Sequence, residues 1–546
     1  MDDDDDDRPS LDDWQPDAPL LSADEGDRHR RDSSSSSSSN DFSRGPPANR
    51  KERRRKRKPW QIAHTPRAIS AVACTAVFLW VLSGMVAMVP GVQLAEDMLC
   101  RRQHDLPRLD PDQRRLCKAD DDVQASLAWL FGLVMALDAG VGLVATLPFG
   151  VLADRARAPA YRLAAAGQLA SVAWTLLVLR LALPVELVLL GPAFALLGGG
   201  LTVALVVLYA VMADVNPPAD RATAYFYSSL AANLAVFVGP PLAAKAMALW
   251  SPWVPMSMSL AATALAGGIM LMVPETAAAA ARGRKTSRGA AAKDQRWSDA
   301  VGSRLARVFH DSDLRSVLGR RPVALLLAAF ALAAPLSSGM GPLFLQYYGR
   351  RFGGSAAGDA GYVLAVRGAL TVAVVGALLP ALSRRLGPSS RRRLPAFRRD
   401  LVLARASAAL AALGYVLLGG ASLASLVAGA AVLALGAGLG PLCRSLISGL
   451  VDADQTSQVF TVVGIVEGIA SLPSGPFLAW AFSSSMRLGG LWLGLPFFLL
   501  GGLGLLVVFV LGLVHTDRGV ADFRSRTGDD CVPLSVDMDT QLENVH

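Results

Sequence analysis

Charge is scarce in this chain of 546 residues. Asp, Glu, Lys and Arg together make 18%, against 52% hydrophobic residues, and the mean hydropathy is +0.37. Soluble domains are roughly a quarter charged, so a single water-soluble fold is excluded. Histidine is down to six and cysteine to five, and neither occurs at metal-ligand spacing. A Walker-type phosphate loop is missing, and no Ser/His/Asp constellation can be assembled. ATP-driven transport, an enzymatic role and a cofactor are therefore not expected. The alternating pattern of a membrane barrel is absent too. The acidic opening MDDDDDDRPS leads into no apolar core, so no signal peptide is expected.

What the chain has instead is Ala, Leu, Val and Gly gathered in blocks of about 20 or more residues, enough to cross roughly 30 Å of hydrocarbon as helix. Twelve blocks are read at 67–90, 125–150, 162–181, 186–213, 222–248, 253–273, 322–346, 360–382, 401–420, 423–450, 457–482 and 490–514. In lipid each backbone polar group must be satisfied within its own segment. The expected class is an all-α polytopic membrane protein in contact with the bilayer. Its parts are a tail over 1–66, a six-helix bundle over 67–273, a linker over 274–321, a second six-helix bundle over 322–514 and a tail over 515–546.

Basic residues assign the sides. The block RKERRRKRK at 50–58, Arg155, Arg157, Arg162, the linker, and SRRLGPSSRRRLPAFRR at 383–399 fall on one side of the alternation, which the Lys/Arg bias makes cytosolic together with both termini. The net charge of +8 is thus read as topology and lipid-headgroup contact, not as a nucleic-acid partner. The loop over 91–124 breaks the trend with six basic and eight acidic residues. It also holds Cys100 and Cys117, expected as a disulfide in an oxidising compartment; two free thiols are the alternative. In the first tail, Asp17, Leu20 and Leu21 resemble an acidic dileucine sorting signal, which leaves plasma membrane and vacuole both open.

The two halves echo each other. Ala235-x-x-x-Gly239-Pro240-x-x-Ala243 in block 5 returns as Ser471-x-x-x-Gly475-Pro476-x-x-Ala479 in block 11, 236 residues later. Small residues at this spacing let backbones approach, and proline bends the helix. A duplicated six-helix unit suits two bundles rocking about a site between them. The gap LPFGVLADRARAPAYRLAAAG at 147–167 is too short for a domain, so its charges act where they stand. Asp154 is expected at the end of block 2 and to face a helix N-terminus of the opposite half. Arg155 and Arg157 are expected to pair with Asp214, and these contacts to form only when the cytosolic side is closed.

These residues resemble the major facilitator superfamily. Gly150-x-Leu152-Ala153-Asp154-Arg155-x-Arg157 is similar to its signature Gly-x-Leu-x-Asp-Arg-x-Gly-Arg-Arg/Lys, with Arg157 where the family has Gly. Pro274-Glu275-Thr276 is similar to its Pro-Glu-Ser/Thr ending of helix 6. The block 5 repeat resembles its antiporter motif, with Ala243 and Ala244 replacing glycines, while the arginine of the helix 4 drug-antiporter motif is missing from GPAFALLGGG at 191–200. The Gly198-Gly199-Gly200 run, the turn over 213–221 ending in Arg221, and Asp400…Arg405-x-Ser407 resemble fungal members. The resemblance spans about 60–515. It implies a monomeric secondary transporter of a small organic solute, working by alternating access with protons as the coupling ion, and favours export or vacuolar sequestration. A uniporter or uptake carrier is the alternative, and a transporter-like solute sensor another.

Ionisable groups inside hydrocarbon are costly and normally face a cavity or a partner. Asp138 in block 2 and Glu467 in block 11 fall near the midplane and are read as proton or transport-path residues, or as structural hydrogen-bonding groups. Arg367 in block 8 is open to two readings, contact with an anionic substrate or a pair with Glu467. Arg405 and Arg444 are expected near the cytosolic ends, snorkelling or serving the inner gate of the second half.

Overall fold

The computed structural model describes residues 65–106, 110–216, 221–276, 318–353, 356–386, 396–451 and 456–514. Among them every regular element is helical, and twelve helices are long and apolar enough to cross a membrane. In the first half these are α1 Pro66–Gln103, α2 Asp121–Arg155, α3 Arg157–Arg180, α4 Val185–Val215, α5 Arg221–Leu249 and α6 Trp253–Met272. In the second half they are α7 Arg321–Ser338, α8 Ala360–Ser383, α9 Ala396–Leu418, α10 Leu423–Ser448, α11 Val462–Leu488 and α12 Gly490–Gly512. The all-helical, twelve-span class expected from hydropathy is what the molecule has. The dileucine residues Asp17, Leu20 and Leu21 lie outside the described residues.

The packing repeats between halves. In the first bundle α1 lies on α5 and α6, and α3 on α4 and α6. In the second α7 lies on α11 and α12, and α9 on α10 and α12. Polar side chains fix the first bundle from within. Trp80 Nε1 donates to Tyr161 Oη at 2.8 Å, and Tyr161 donates on to the Ala266 carbonyl at 2.6 Å, tying α1, α3 and α6 together. Ser83 sits 2.6 Å from the Thr263 hydroxyl on α6. Such bonds hold helices where lipid offers no alternative partner.

Several elements depart from uniform helices, each for a local reason. The segment expected as a loop after residue 90 continues α1 to Gln103, and a short helix, Pro111–Ala119, follows. α4 opens with two 3-10 segments, Val185–Leu190 and Pro192–Leu197, before an α-helix starts at Gly200. Gly199 and Gly200 have φ of 83° and 56°, a region that favours glycine. A Cβ on Gly198 would stand 2.1 Å from the Leu163 backbone, so α3 and α4 touch main chain to main chain at this break. Block 7 stops at Ser338 and resumes as a separate helix, Pro342–Phe352. α8 widens to a π-turn at Val374–Leu378 just before Pro380, whose missing N–H and ring cannot continue an α ladder unchanged.

The bundles meet along two seams, α2 against α11 and α5 against α8. A Cβ on Gly475 would lie 2.1 Å from the Gly132 carbonyl oxygen, and one on Gly132 would lie 2.7 Å from that of Gly475. In the other seam a Cβ on Gly368 would lie 2.8 Å from Phe237 Cα, and one on Gly361 3.3 Å from the Pro240 carbonyl oxygen. Gly132 and Gly368 are 236 residues apart, the offset that also separates Gly239 from Gly475. The duplication therefore extends to the surfaces through which the halves touch.

Candidate functional site

The tight turn after α2 is built by charges from three helices of one bundle. α2 ends at Arg155, Ala156 is extended at φ −157° and ψ 113°, and α3 starts at Arg157. The first N–H groups of a helix have no partner within it. Here Glu275, just beyond α6, supplies one: Oε1 accepts the Arg157 N–H at 2.8 Å and Oε2 accepts that of Ala158 at 3.0 Å. A carboxylate at a helix N-terminus is also favoured by the helix dipole. Arg157 Nε donates to Asp214 Oδ2 on α4 at 3.0 Å, and the Thr276 hydroxyl reaches the same oxygen at 3.3 Å. Both partners of the pair are largely buried, at 16% and 13% side-chain exposure.

Arg157 and Asp214 thus meet as the sequence led us to expect, and the structure adds two particulars. The contacts just described join α3, α4 and the end of α6, all in the first bundle, so these particular contacts do not cross between the bundles. The cluster's second acid is Glu275, which the sequence offered only as part of a terminal signature. Gly150 lies in the last turns of α2 and Arg155 is exposed at its end. The side chains of Asp154 and Arg221 lie outside the described residues.

The second bundle uses other means at the corresponding end. Arg405 Nε and Nη2 donate to the carbonyls of Leu511, Gly512 and Val514 at 3.0, 3.3 and 3.0 Å, a cation on the orphan acceptors at a helix C-terminus. Asp400 accepts from the Ser445 hydroxyl at 2.6 Å and from Arg399 Nε at 2.8 Å. Arg444 does not join this group. Its Nη2 lies 3.1 Å from both oxygens of Glu467, and its guanidinium stands 6.0 Å from the Phe330 ring centre. Glu467 therefore pairs with Arg444, not with Arg367. Arg367 has a buried Nε with no hydrogen-bond partner.

Asp138 is different from all of these. It is exposed, yet no hydrogen bond or ion pair reaches its carboxylate among the described residues, and it lies in the middle of an apolar span. On α2 it shares the face of Gly142 and Ala145, which pack against Thr202 and Gly199 of α4. The α11 side of the same helix packs Gly140 against Leu472 and Leu143 against Gly468. This antiparallel register sets Asp138 and Glu467 about 9 Å apart in height, at about 1.5 Å per residue. An ionisable group at this depth normally faces a cavity or a partner; Glu467 has its partner in Arg444, and none reaches Asp138 among the described residues.

At the opposite end, Cys100 and Cys117 form a disulfide with Cα atoms 5.8 Å apart. Asp120 caps α2, accepting from the Asp122 and Val123 N–H groups at 2.9 and 3.3 Å, and pairs with His104 at 2.8 Å. Partial burial pushes its pKa up, but the Val123, His104 and Asp122 hydrogen bonds outweigh this and bring it below the ordinary Asp value. Arg350 crosses between bundles to Asp121 and to the Lys118 carbonyl. Beneath these lie Glu96 and Gln124, joined by a 2.8 Å bond from Gln124 Nε2. Neither was singled out from the sequence, because an acid within a charged loop and a lone amide carry no periodic signal.

Residues 122–475 match the family model described as Major Facilitator Superfamily. The chain is 32% identical over 429 residues, 77% of its own length and 82% of the relative's, to "MFS efflux pump atnC" of Emericella nidulans. It is 25% identical over 440 residues to "Efflux pump ustT" of Aspergillus flavus, covering 78% and 84% of the two chains. Among solved structures, a D-xylose-proton symporter shares the fold with a TM-score of 0.58 at 13% identity, over 82% of this chain and 97% of that one. A mutant of the nucleoside transporter NupG gives a TM-score of 0.54 at 10% identity, over 82% and 100%.

Proposed function

The chain belongs to the major facilitator superfamily, and from that premise we propose that it exports a small organic solute, or sequesters it in the vacuole, by proton-coupled alternating access. It is a multi-pass membrane transporter and not an enzyme. Export is favoured because relatives similar over most of their length are named efflux pumps. Alternating access is supported by the two glycine seams, related by the internal repeat, about which the bundles can pivot. Both termini are proposed to lie in the cytosol, from the basic residues at the linker end.

Asp138 is the single observation that carries proton coupling. A solitary carboxylate in a low-dielectric span holds charge at a cost unless it binds a proton or a cation. Loading and release of that proton as access alternates would couple solute flux to the gradient. Glu467, neutralised by Arg444, is proposed to line the solute path, with Arg367 as a further polar contact. The chain is proposed to work as a monomer.

The test uses the whole protein in proteoliposomes with an internal pH dye and a panel of small organic metabolites. A solute that the protein carries should drive proton movement against its own flux, and Asp138→Asn should abolish the proton signal while Glu467→Gln alters solute selectivity. Solute flux with no proton movement in the unmodified protein refutes coupling and leaves a uniporter.

A further inference from the structure

We propose that a small polar cavity between the bundles, under the disulfide loop, is a water-binding latch that holds this end of the transporter closed. The cavity measures about 40 Å³. Its polar lining comes from both bundles: Gln93, Glu96, Lys118 and Gln124 from the first, Gln346 and Arg350 from the second. It exists only while the two bundles are pressed together here, so its occupancy is tied to one arrangement of the molecule. This rests on the alternating-access reading.

Gln346 identifies the ligand. The residue is 4% exposed, and neither its amide nitrogen nor its amide oxygen has a hydrogen-bond partner in the protein. An orphaned buried polar atom is destabilising unless a ligand or water satisfies it, and here two such atoms belong to one side chain lining a polar cavity. A water needs roughly 10–15 Å³ of such space and two to four polar partners, so the cavity suits two or three waters and is too small for an organic solute. The charges favour water over an ion. Arg350 is paired with Asp121, and the remaining lining holds one carboxylate, Glu96, and one ammonium, Lys118. Glu96 is 8% exposed and already accepts from Gln124, which leaves its second oxygen for water shared with Gln346. The amide and the carboxyl then act as positioning residues, joined across the bundle interface through water.

Val92 lines the cavity and is 6% exposed, so a cysteine there reports opening. In full-length Val92→Cys protein lacking Cys74, Cys443 and Cys531, a membrane-impermeant maleimide is added from the disulfide side. Gln346→Leu, which keeps the volume but removes both polar atoms, should raise the labelling rate at least fivefold. Gln346→Asn, which keeps them, should stay near the parent. Unchanged labelling in Gln346→Leu overturns the latch. Equal rises in both variants overturn it as well, because they assign closure to packing volume. A thiol whose labelling never changes during measured turnover counts against alternating access itself, and the latch falls with it.

Discussion

The seam between α2 and α11 can be loosened by a single methyl group. Gly475→Ala would set a Cβ 2.1 Å from the Gly132 carbonyl oxygen, and Gly368→Ala, in the other seam, one 2.8 Å from Phe237 Cα. Both neighbours are backbone, so the helices themselves must move apart. Overpacking of this kind costs about 1–3 kcal/mol. Alanine is the better helix former by about 1 kcal/mol, a gain that cancels where both arrangements keep the helix at that position. The full penalty therefore falls on the arrangement with tight seams. It should shift the balance by about five- to 150-fold, taking 1.4 kcal/mol as a factor of ten. A methyl on Gly464 or Gly440 would meet nothing within 4 Å, and the alanine variants of these two serve as controls. The assay is the Val92→Cys labelling rate from the disulfide side, with solute flux in parallel. Faster labelling in Gly475→Ala and Gly368→Ala, and no change in the controls, is expected. Parent-like labelling in both seam variants would refute the pivot.

Two other expectations follow from the polar clusters. Glu275→Gln keeps the shape but removes the charge that caps α3, and Glu275→Ala removes the cap altogether; a lost cap costs about 0.5–2 kcal/mol, so detergent-solubilised protein should melt earlier in the order parent, Gln, Ala. Asp120 has a folded pKa below its ordinary value, which is about 3.9, so its contribution to stability is complete above that value and fades as the pH falls through the lowered one. The melting temperatures of the parent and Asp120→Asn should therefore differ at neutral pH and converge in strong acid; a constant difference down to acid pH would show that the capping bonds owe nothing to ionisation.

Much of the architecture was legible because lipid leaves so few options. Twelve apolar blocks had to be twelve helices, and Gly239-Pro240 and Gly475-Pro476 gave the duplication by their shared offset. The same hydropathy was blind to backbone dihedrals. It read residues 186–213 as one uniform helix, although Gly198, Gly199 and Gly200 are the residues that break it. The site was legible in part. Arg157 and Asp214 could be paired because both stood at helix ends on one side. Glu275 could not be assigned its role, since the N–H groups it caps lie 117 and 118 residues away and main-chain donors leave no mark on a sequence. The sequence offered Arg367 as a partner for Glu467 and assigned Arg444 to the inner end; the pairing of Glu467 with Arg444 depends on the relative rotation of α10 and α11, which hydropathy does not carry.

The two ends of the molecule divide the work differently from what their charges imply. The linker end holds the dense basic residues and the signature turn, yet its ion pair and caps, Arg157 to Asp214, Glu275 to α3 and Arg405 to α12, each close within one bundle. If the bundles rock as proposed, such contacts stay intact and stiffen each bundle into a body that can move as a unit. The disulfide end is poorer in recognisable motifs, but Arg350 crosses there to Asp121, and Glu96 and Gln346 face one cavity from opposite bundles. Contacts that must break for access to change are the ones that set its equilibrium. Substitutions at Arg350 should therefore alter which side is open, whereas substitutions at Arg405, which binds carbonyls at the end of α12, should lower stability without a preference for either side. Labelling at Val92→Cys and melting temperature, measured together on Arg350→Ala and Arg405→Ala, separate the two roles, and equal effects on both readouts would erase the distinction.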